Sequence, residues 1–186
     1  ALGAQIMVNK IPPARVMTIH SSPNAPGVDL LVDGTIAGTN LTFPNNTPYL
    51  GVLAGMRNIK VNVTGTTTTV INATLDLAGG TSYSVFASDS VSKISPVVLT
   101  DDLTAPATGT AHVRFIHLSP NAPAVDVALQ GGAVVFGNRA FKQFTTFAPL
   151  AAGTYNLEVR VAGTSTVVLP LPNIILQAGK IYTVFA

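Results

Sequence analysis

Ala14-Arg15-Val16-Met17-Thr18-Ile19-His20-Ser21-Ser22-Pro23-Asn24-Ala25-Pro26-Gly27-Val28-Asp29 returns later in the chain as Ala111-His112-Val113-Arg114-Phe115-Ile116-His117-Leu118-Ser119-Pro120-Asn121-Ala122-Pro123-Ala124-Val125-Asp126. His20 to His117 and Asp29 to Asp126 are both 97 positions apart (117 − 20 and 126 − 29). One offset held over so long a stretch marks a duplicated unit, and a duplication decides the architecture before any other reading. Further along, Phe43 matches Phe141, Tyr49 matches Phe147 and Gly55 matches Gly153 at offset 98, then Tyr83 matches Tyr182 and Phe86 matches Phe185 at offset 99. Two single-residue insertions account for the drift, as turns diverge between two folded copies.

Each copy reads as all-β. Val, Ile, Thr, Phe and Tyr dominate, and Gly and Pro punctuate the chain every 8–12 residues, the spacing of short strands in a sandwich or barrel. Strands are expected near 14–20, 28–33, 36–42, 48–53, 57–64, 67–76, 81–87 and 95–101. In the second copy they are expected near 111–117, 124–130, 133–136, 143–149, 154–161, 165–170 and 179–185. Asn58-Ile59-Lys60-Val61-Asn62-Val63 and Tyr155-Asn156-Leu157-Glu158-Val159-Arg160-Val161 alternate with period two, so one face of each is buried and the other wet. Asp33-Gly34, Val63-Thr64-Gly65-Thr66 and Val161-Ala162-Gly163-Thr164 close hairpins. The predicted fold is therefore two tandem β-sandwich-like domains of Ig-like or Greek-key type, at 14–101 and 111–186, joined by a linker at 102–110. Residues 1–13 belong to neither copy and form an extended, β-prone arm that Pro12-Pro13 sets apart. After Phe86 the first copy runs on through Ser95-Pro96-Val97-Val98-Leu99-Thr100, whereas this sequence ends at Ala186 just past Phe185. The second copy is expected to be one strand short.

The pattern R-x-x-H-x-S-P-N-A-P-x-V-D, followed by a short strand, an Ala-Gly turn and a closing A-G-x-x-Y-x-V-F strand, resembles the DUF4397 family over roughly residues 14–186. That resemblance implies a secreted or cell-surface β-module, and brings no catalytic residues with it.

Composition narrows the function further. Hydrophobic residues make up 47% and charged residues 10%, against a usual charged share of about 25%, and mean hydropathy is +0.45. No apolar run reaches the ~18 residues of a membrane helix, so the excess is expected in subunit interfaces. A net charge of +2 from scattered bases argues against nucleic acid as a partner. Cysteine is absent, which removes disulfides and thiolate metal sites. The opening Ala1-Leu2-Gly3-Ala4 reads as the start of a mature secreted chain.

Ser, His and Asp recur together as His20, Ser22 and Asp29, then His117, Ser119 and Asp126. A hydrolytic triad or a His/Asp metal site would use these residue types. No Gly-x-Ser-x-Gly elbow accompanies them, however, and a Ser-Pro-Asn-Ala-Pro loop needs side chains to satisfy its backbone. All six are read as loop staples, with no catalytic residue, cofactor or metal. Asp101-Asp102, with Asp76 and Asp89, lacks the spacing of a calcium loop and reads as solvated linker. Sequons at Asn40, Asn45, Asn62 and Asn72 place all candidate N-glycans on the first copy. With no Trp, a carbohydrate-stacking platform is not expected.

Three functions compete: a structural subunit of an extracellular filament, a secreted adhesin or ligand-binding module, and, least favoured, a hydrolase using His117 and Asp126. The expected partners are copies of itself. Residues 4–11 of one subunit, anchored by Ala4, Ile6 and Val8, would complete the second domain of the next by donor-strand exchange.

Overall fold

The computed structural model describes residues 10–186. It is all-β and divides after Asp101 into two compact units. Apart from a 3-10 turn at Val91–Lys93, the described residues form strands and their connections. No described helix is long and apolar enough to cross a membrane.

Unit 1 holds β1 (Ala14–His20), β2 (Val28–Val32), β3 (Thr35–Leu41), β4 (Leu50–Val52), β5 (Gly55–Val63), β6 (Thr69–Leu77), β7 (Ser82–Ser88) and β8 (Ser95–Asp101). They make two sheets, ordered β4-β1-β7-β8 and β3-β2-β5-β6. Unit 2 holds β9 (Thr110–Ile116), β10 (Val125–Leu129), β11 (Val134–Arg139), β12 (Ala148–Ala151), β13 (Gly153–Val161), β14 (Val167–Leu176) and β15 (Ile181–Phe185). Its sheets are ordered β12-β9-β15 and β11-β10-β13-β14. Matched strands take matched places, and in each unit the first strand pairs in parallel with the strand that carries the Tyr-x-Val-Phe signature. All other pairings are antiparallel, as short hairpin connections require.

Alternation builds the sandwich. Ile59 and Val61 of β5 turn inward against Leu30 and Val28 of β2, and all four are at most 2% exposed. Val16, Val85 and Leu77 continue the core beneath the opposite sheet. In unit 2 the same layers are Val113 and Phe115 of β9, Val125 and Val127 of β10, and Val159 of β13. The β2–β3 turn places Asp33 (φ 50°) and Gly34 (φ 80°) in the left-handed region, the geometry of a two-residue hairpin that follows strand twist.

Three local expectations change. The strand expected at 165–170 runs from Val167 to Leu176, through Pro170 and Pro172. Proline has no N–H for a ladder, but β14 is an edge strand whose outer side needs none. The strand expected at 143–149 is shifted to 148–151, and only Phe144 of the earlier residues makes a bridge, to Ile116. Asp101 is not solvated linker: it closes β8 and is buried, accepting hydrogen bonds from Tyr49 Oη (2.6 Å) and Ser84 Oγ (2.8 Å).

Candidate functional site

His20 ends β1 and His117 directly follows β9, each where the chain leaves the sheet for the Ser-Pro-Asn-Ala-Pro loop. Both are buried, His20 at 0% and His117 at 1% exposure. His20 Nε2 lies 3.0 Å from Pro26 O, and Ser22 N lies 3.4 Å from His20 Nδ1. The second copy repeats this at 3.0 Å to Pro123 O and 3.3 Å from Ser119 N. A carbonyl only accepts and a backbone N–H only donates, so the ring carries its proton on Nε2 and offers a lone pair at Nδ1. Each imidazole thus closes its loop at both ends. Ser22 Oγ donates to Asp89 O (2.5 Å) and Ser21 Oγ to Ala87 O (2.9 Å), fastening the first loop to β7 and its exit.

The aspartates do a separate task. Asp29 Oδ1 accepts from Asn40 N (2.8 Å) and Thr64 Oγ1 (2.9 Å), and Oδ2 accepts from Gly65 N (3.3 Å). Asp126 Oδ1 accepts from Asn138 N (2.6 Å) and Oδ2 from Gly163 N (2.8 Å). Asn40, Gly65, Asn138 and Gly163 all have positive φ, and each carboxylate straps β2 or β10 to the neighbouring strand β3 or β11 and to the β5–β6 or β13–β14 turn. The N–H of Asn40, then the Thr64 hydroxyl, hold the Asp29 carboxyl below the usual carboxylate range against an opposing desolvation. A Cβ on Gly27 would stand 2.5 Å from Asn40 Oδ1, the end of an exposed side chain, and the second copy carries Ala124 at the matched position.

His and Asp therefore share a loop without sharing a site. Both ring nitrogens of each histidine are committed to backbone, and both oxygens of each aspartate to donors of the neighbouring strand and turn. The histidine and the aspartate of each copy are therefore not hydrogen-bonded to one another as the base and orienting acid of a triad are. Among the described residues, no three His, Asp or Glu side chains converge as a metal site. Asp102 is exposed and takes the N–H of Thr104 (2.9 Å). A second strap, Glu158–Arg160, was not anticipated. Arg160 Nε donates to Glu158 Oε1 (2.7 Å), and its Nη1 and Nη2 reach Gly132 O and Leu129 O, pinning the β10–β11 turn. The i, i+2 spacing of opposite charges on an alternating strand was its signal in the sequence.

The four sequons differ in surroundings. Asn40, Asn45 and Asn72 are exposed, whereas Asn62 is half-buried and its Oδ1 accepts from Thr69 Oγ1 (2.9 Å). Asn72 Oδ1 accepts from Asn58 Nδ2 (2.8 Å) in a cross-strand pair. Ala4, Ile6 and Val8 lie outside the described residues.

Among the described strands, none fills beside β15 the place that β8 holds beside β7. In unit 1, β7 is central, flanked by β1 and β8, and all but one of its residues are buried. Its counterpart β15 pairs with β9 alone among the described strands and is half-buried throughout. Val85 is 2% exposed and Phe86 1%, whereas Val184 and Phe185 are only half-buried. Beneath β15 a cavity of about 210 Å³ is lined by apolar groups that include Phe115, Leu157, Leu171, Ile174 and Val184. Tyr155 also lines it and turns its hydroxyl away to Ala151 O (2.8 Å). Beside the cavity β14 exposes Val167, Val168, Leu169 and Ile175.

A family model, the domain of unknown function DUF4397, matches residues 14–128, more than half of the chain, and the protein belongs to that family. The match spans unit 1 and extends through most of β10. No curated protein matches. Among solved structures the chain is similar to the Bacillus anthracis TIE protein, at 12% identity and a TM-score of 0.29. That similarity covers 94% of this chain and 34% of the other, so this chain spans about a third of that structure's length.

Proposed function

We propose that the protein is a structural subunit of an extracellular filament or surface assembly, in which the N-terminal arm of one copy completes unit 2 of another. The observation that carries this reading is the edge position of β15 over an apolar groove of about 210 Å³. Protein interiors hold few voids larger than a water molecule. At about 24 cal/mol per Å³, filling a void of this size is worth on the order of 5 kcal/mol. An added strand supplies both what the edge and what the groove need, namely main-chain partners for β15 and alternate apolar side chains for the cavity. Ala4, Ile6 and Val8 have the period-two spacing for that task. A head-to-tail contact of this kind is heterologous and builds an open polymer unless its rotation closes.

The commitment of His20, His117, Asp29 and Asp126 to backbone supports a non-enzymatic role. Glycans on the exposed Asn40, Asn45 and Asn72 would coat unit 1 and leave unit 2 free to accept a strand; peptide mass spectrometry of native material tests their occupancy. A second reading, an adhesin presenting loops 21–28 and 118–125, draws on the rigidity that these straps give both loops.

A fluorescein-labelled peptide of residues 4–11 should bind chain lacking residues 1–11, and electron microscopy should show fibres only from chain that keeps them. If residues following 186 in a longer chain fill the groove instead, that longer chain will not bind the peptide, and arm deletion will leave any assembly unchanged. That outcome refutes the reading.

A further inference from the structure

Each unit has four sheet edges among its described strands, and a bare edge is a template for pairing with another chain. Most of these edges are guarded. β3 and β11 shift register against their neighbours and hold Asn40 and Asn138 in the left-handed region. β4 and β12 are only three and four residues long. β8 carries Pro96, and β14 carries Pro170 and Pro172. Proline has no N–H to offer a ladder, so an added strand loses a donor at each. Two edge strands have no such device, β15 and β6. The first is the strand acceptor of the reading above; the second has no such role.

β6 is nine residues long, without proline and without a residue of positive φ. Its one register shift against β5 lies at the Thr69 end, and its one charge, Asp76, lies near the other. Ile71, Ala73 and Leu75 pack into the core, which leaves Asn72 and Thr74 exposed on the outer face. These two residues begin and end the sequon Asn72-Ala73-Thr74. Asn72 stands beside Lys60, and Pro170 stands beside Glu158, the same pair of places in the two copies. The position that holds a proline in unit 2 thus holds the sequon asparagine in unit 1. Asn72 is fixed through Oδ1, which accepts from Asn58 Nδ2 (2.8 Å), so a sugar on its own Nδ2 leaves that bond intact.

We infer that Asn72 carries an N-linked glycan that closes the β6 edge, as Pro170 and Pro172 close β14. In the transfer Nδ2 bonds to the anomeric carbon of a glycosyl diphosphate donor; the carbon–oxygen bond breaks, the diphosphate leaves and Nδ2 gives up a proton. Neighbouring strands lie about 4.8 Å apart, and a glycan rooted in the middle of β6 overhangs that space. Nothing in this depends on where the N-terminal arm binds.

Fragment mass spectrometry of native tryptic peptide 61–93 is expected to find sugar mass on Asn72, and a bare Asn72 overturns the assignment. Full-length Thr74→Ala loses the sequon, whereas Thr74→Ser keeps it; both are made in the native host. Thr74→Ala is expected to scatter more light than the parent chain, with amide exchange across 69–77 slowed about tenfold or more by edge pairing. Thr74→Ser is expected to match the parent. Thr74→Lys also loses the sequon but sets a charge on the edge, and is expected to stay dispersed. Growth by strand donation to β15 leaves the β6 amides unchanged, so failure here and failure of the strand-donor reading are told apart. Parent-like exchange at 69–77 in Thr74→Ala, or association of Thr74→Ser or Thr74→Lys, overturns the edge-closing role.

Discussion

Asp126→Ala tests the loop straps most directly. Asp126 is 6% exposed, and its two oxygens accept from Asn138 N (2.6 Å) and Gly163 N (2.8 Å). A hydrogen bond to a charged group contributes about 1.5–3 kcal/mol net. Asn138 and Gly163 are themselves exposed, so water can reach the stranded donors and the lower end applies. Two bonds at that value give a loss of about 3 kcal/mol for unit 2. For a domain of 60–100 residues, each kcal/mol moves Tm by about 4–8 °C, so a fall of roughly 12–24 °C is expected. Differential scanning calorimetry should show the transition of unit 2 move while that of unit 1 holds, and amide exchange should quicken at Asn138 and Gly163. Asp126→Asn should lose about half as much, because its remaining oxygen can still accept one of the two N–H groups while its NH2 accepts neither. A fall in Tm below about 3 °C, or exchange unchanged at both amides, would refute the reasoning. Hydrolase activity lost in this variant with its melting point intact would refute the structural role itself.

Gly27→Ala should change the melting of unit 1 little, because the atom its Cβ would meet at 2.5 Å, Asn40 Oδ1, ends an exposed side chain that can turn aside; a fall in Tm of more than about 8 °C would contradict this. Acid should unfold both units. Asp29 is held low chiefly by the Asn40 N–H, Asp33 by the Asn58 N–H and then Arg57, and Glu158 by Arg160. A carboxylate lowered in the folded state contributes stability that is present above its unfolded pKa and lost as pH falls through its folded one. Tm should therefore be level near neutrality and fall below about pH 4, and Asp29→Asn should flatten that slope for unit 1; an equal slope in the variant would be inconsistent with it. Nitrogen-15 spectra of the imidazoles should place the ring proton on Nε2 in both His20 and His117, and a proton on Nδ1 would contradict the bonds to Pro26 O and Pro123 O.

Much of the fold is legible along the chain because its causes are local. Alternation in 58–63 and 155–161 marks half-buried strands, Asp33-Gly34 supplies the left-handed turn its hairpin needs, and the matched His, Pro and Asp positions recur as matched loops. The family follows from the same residues. What the tertiary structure decided depends on neighbours far along the chain. The strand expected at 165–170 continues to Leu176 through Pro170 and Pro172, because an edge strand has one side without ladder partners. Asp101 reads as linker, but Tyr49 and Ser84 close over it once β8 lies beside β7. His20 and Asp29 stand nine positions apart and both read as staples of one loop, yet only His20 bonds that loop, while Asp29 bonds β3 and the β5–β6 turn. Tyr-Ser-Val-Phe at 83–86 and Tyr-Thr-Val-Phe at 182–185 are nearly the same words, and burial separates them because β7 has a neighbour on both sides and β15, among the described strands, on one.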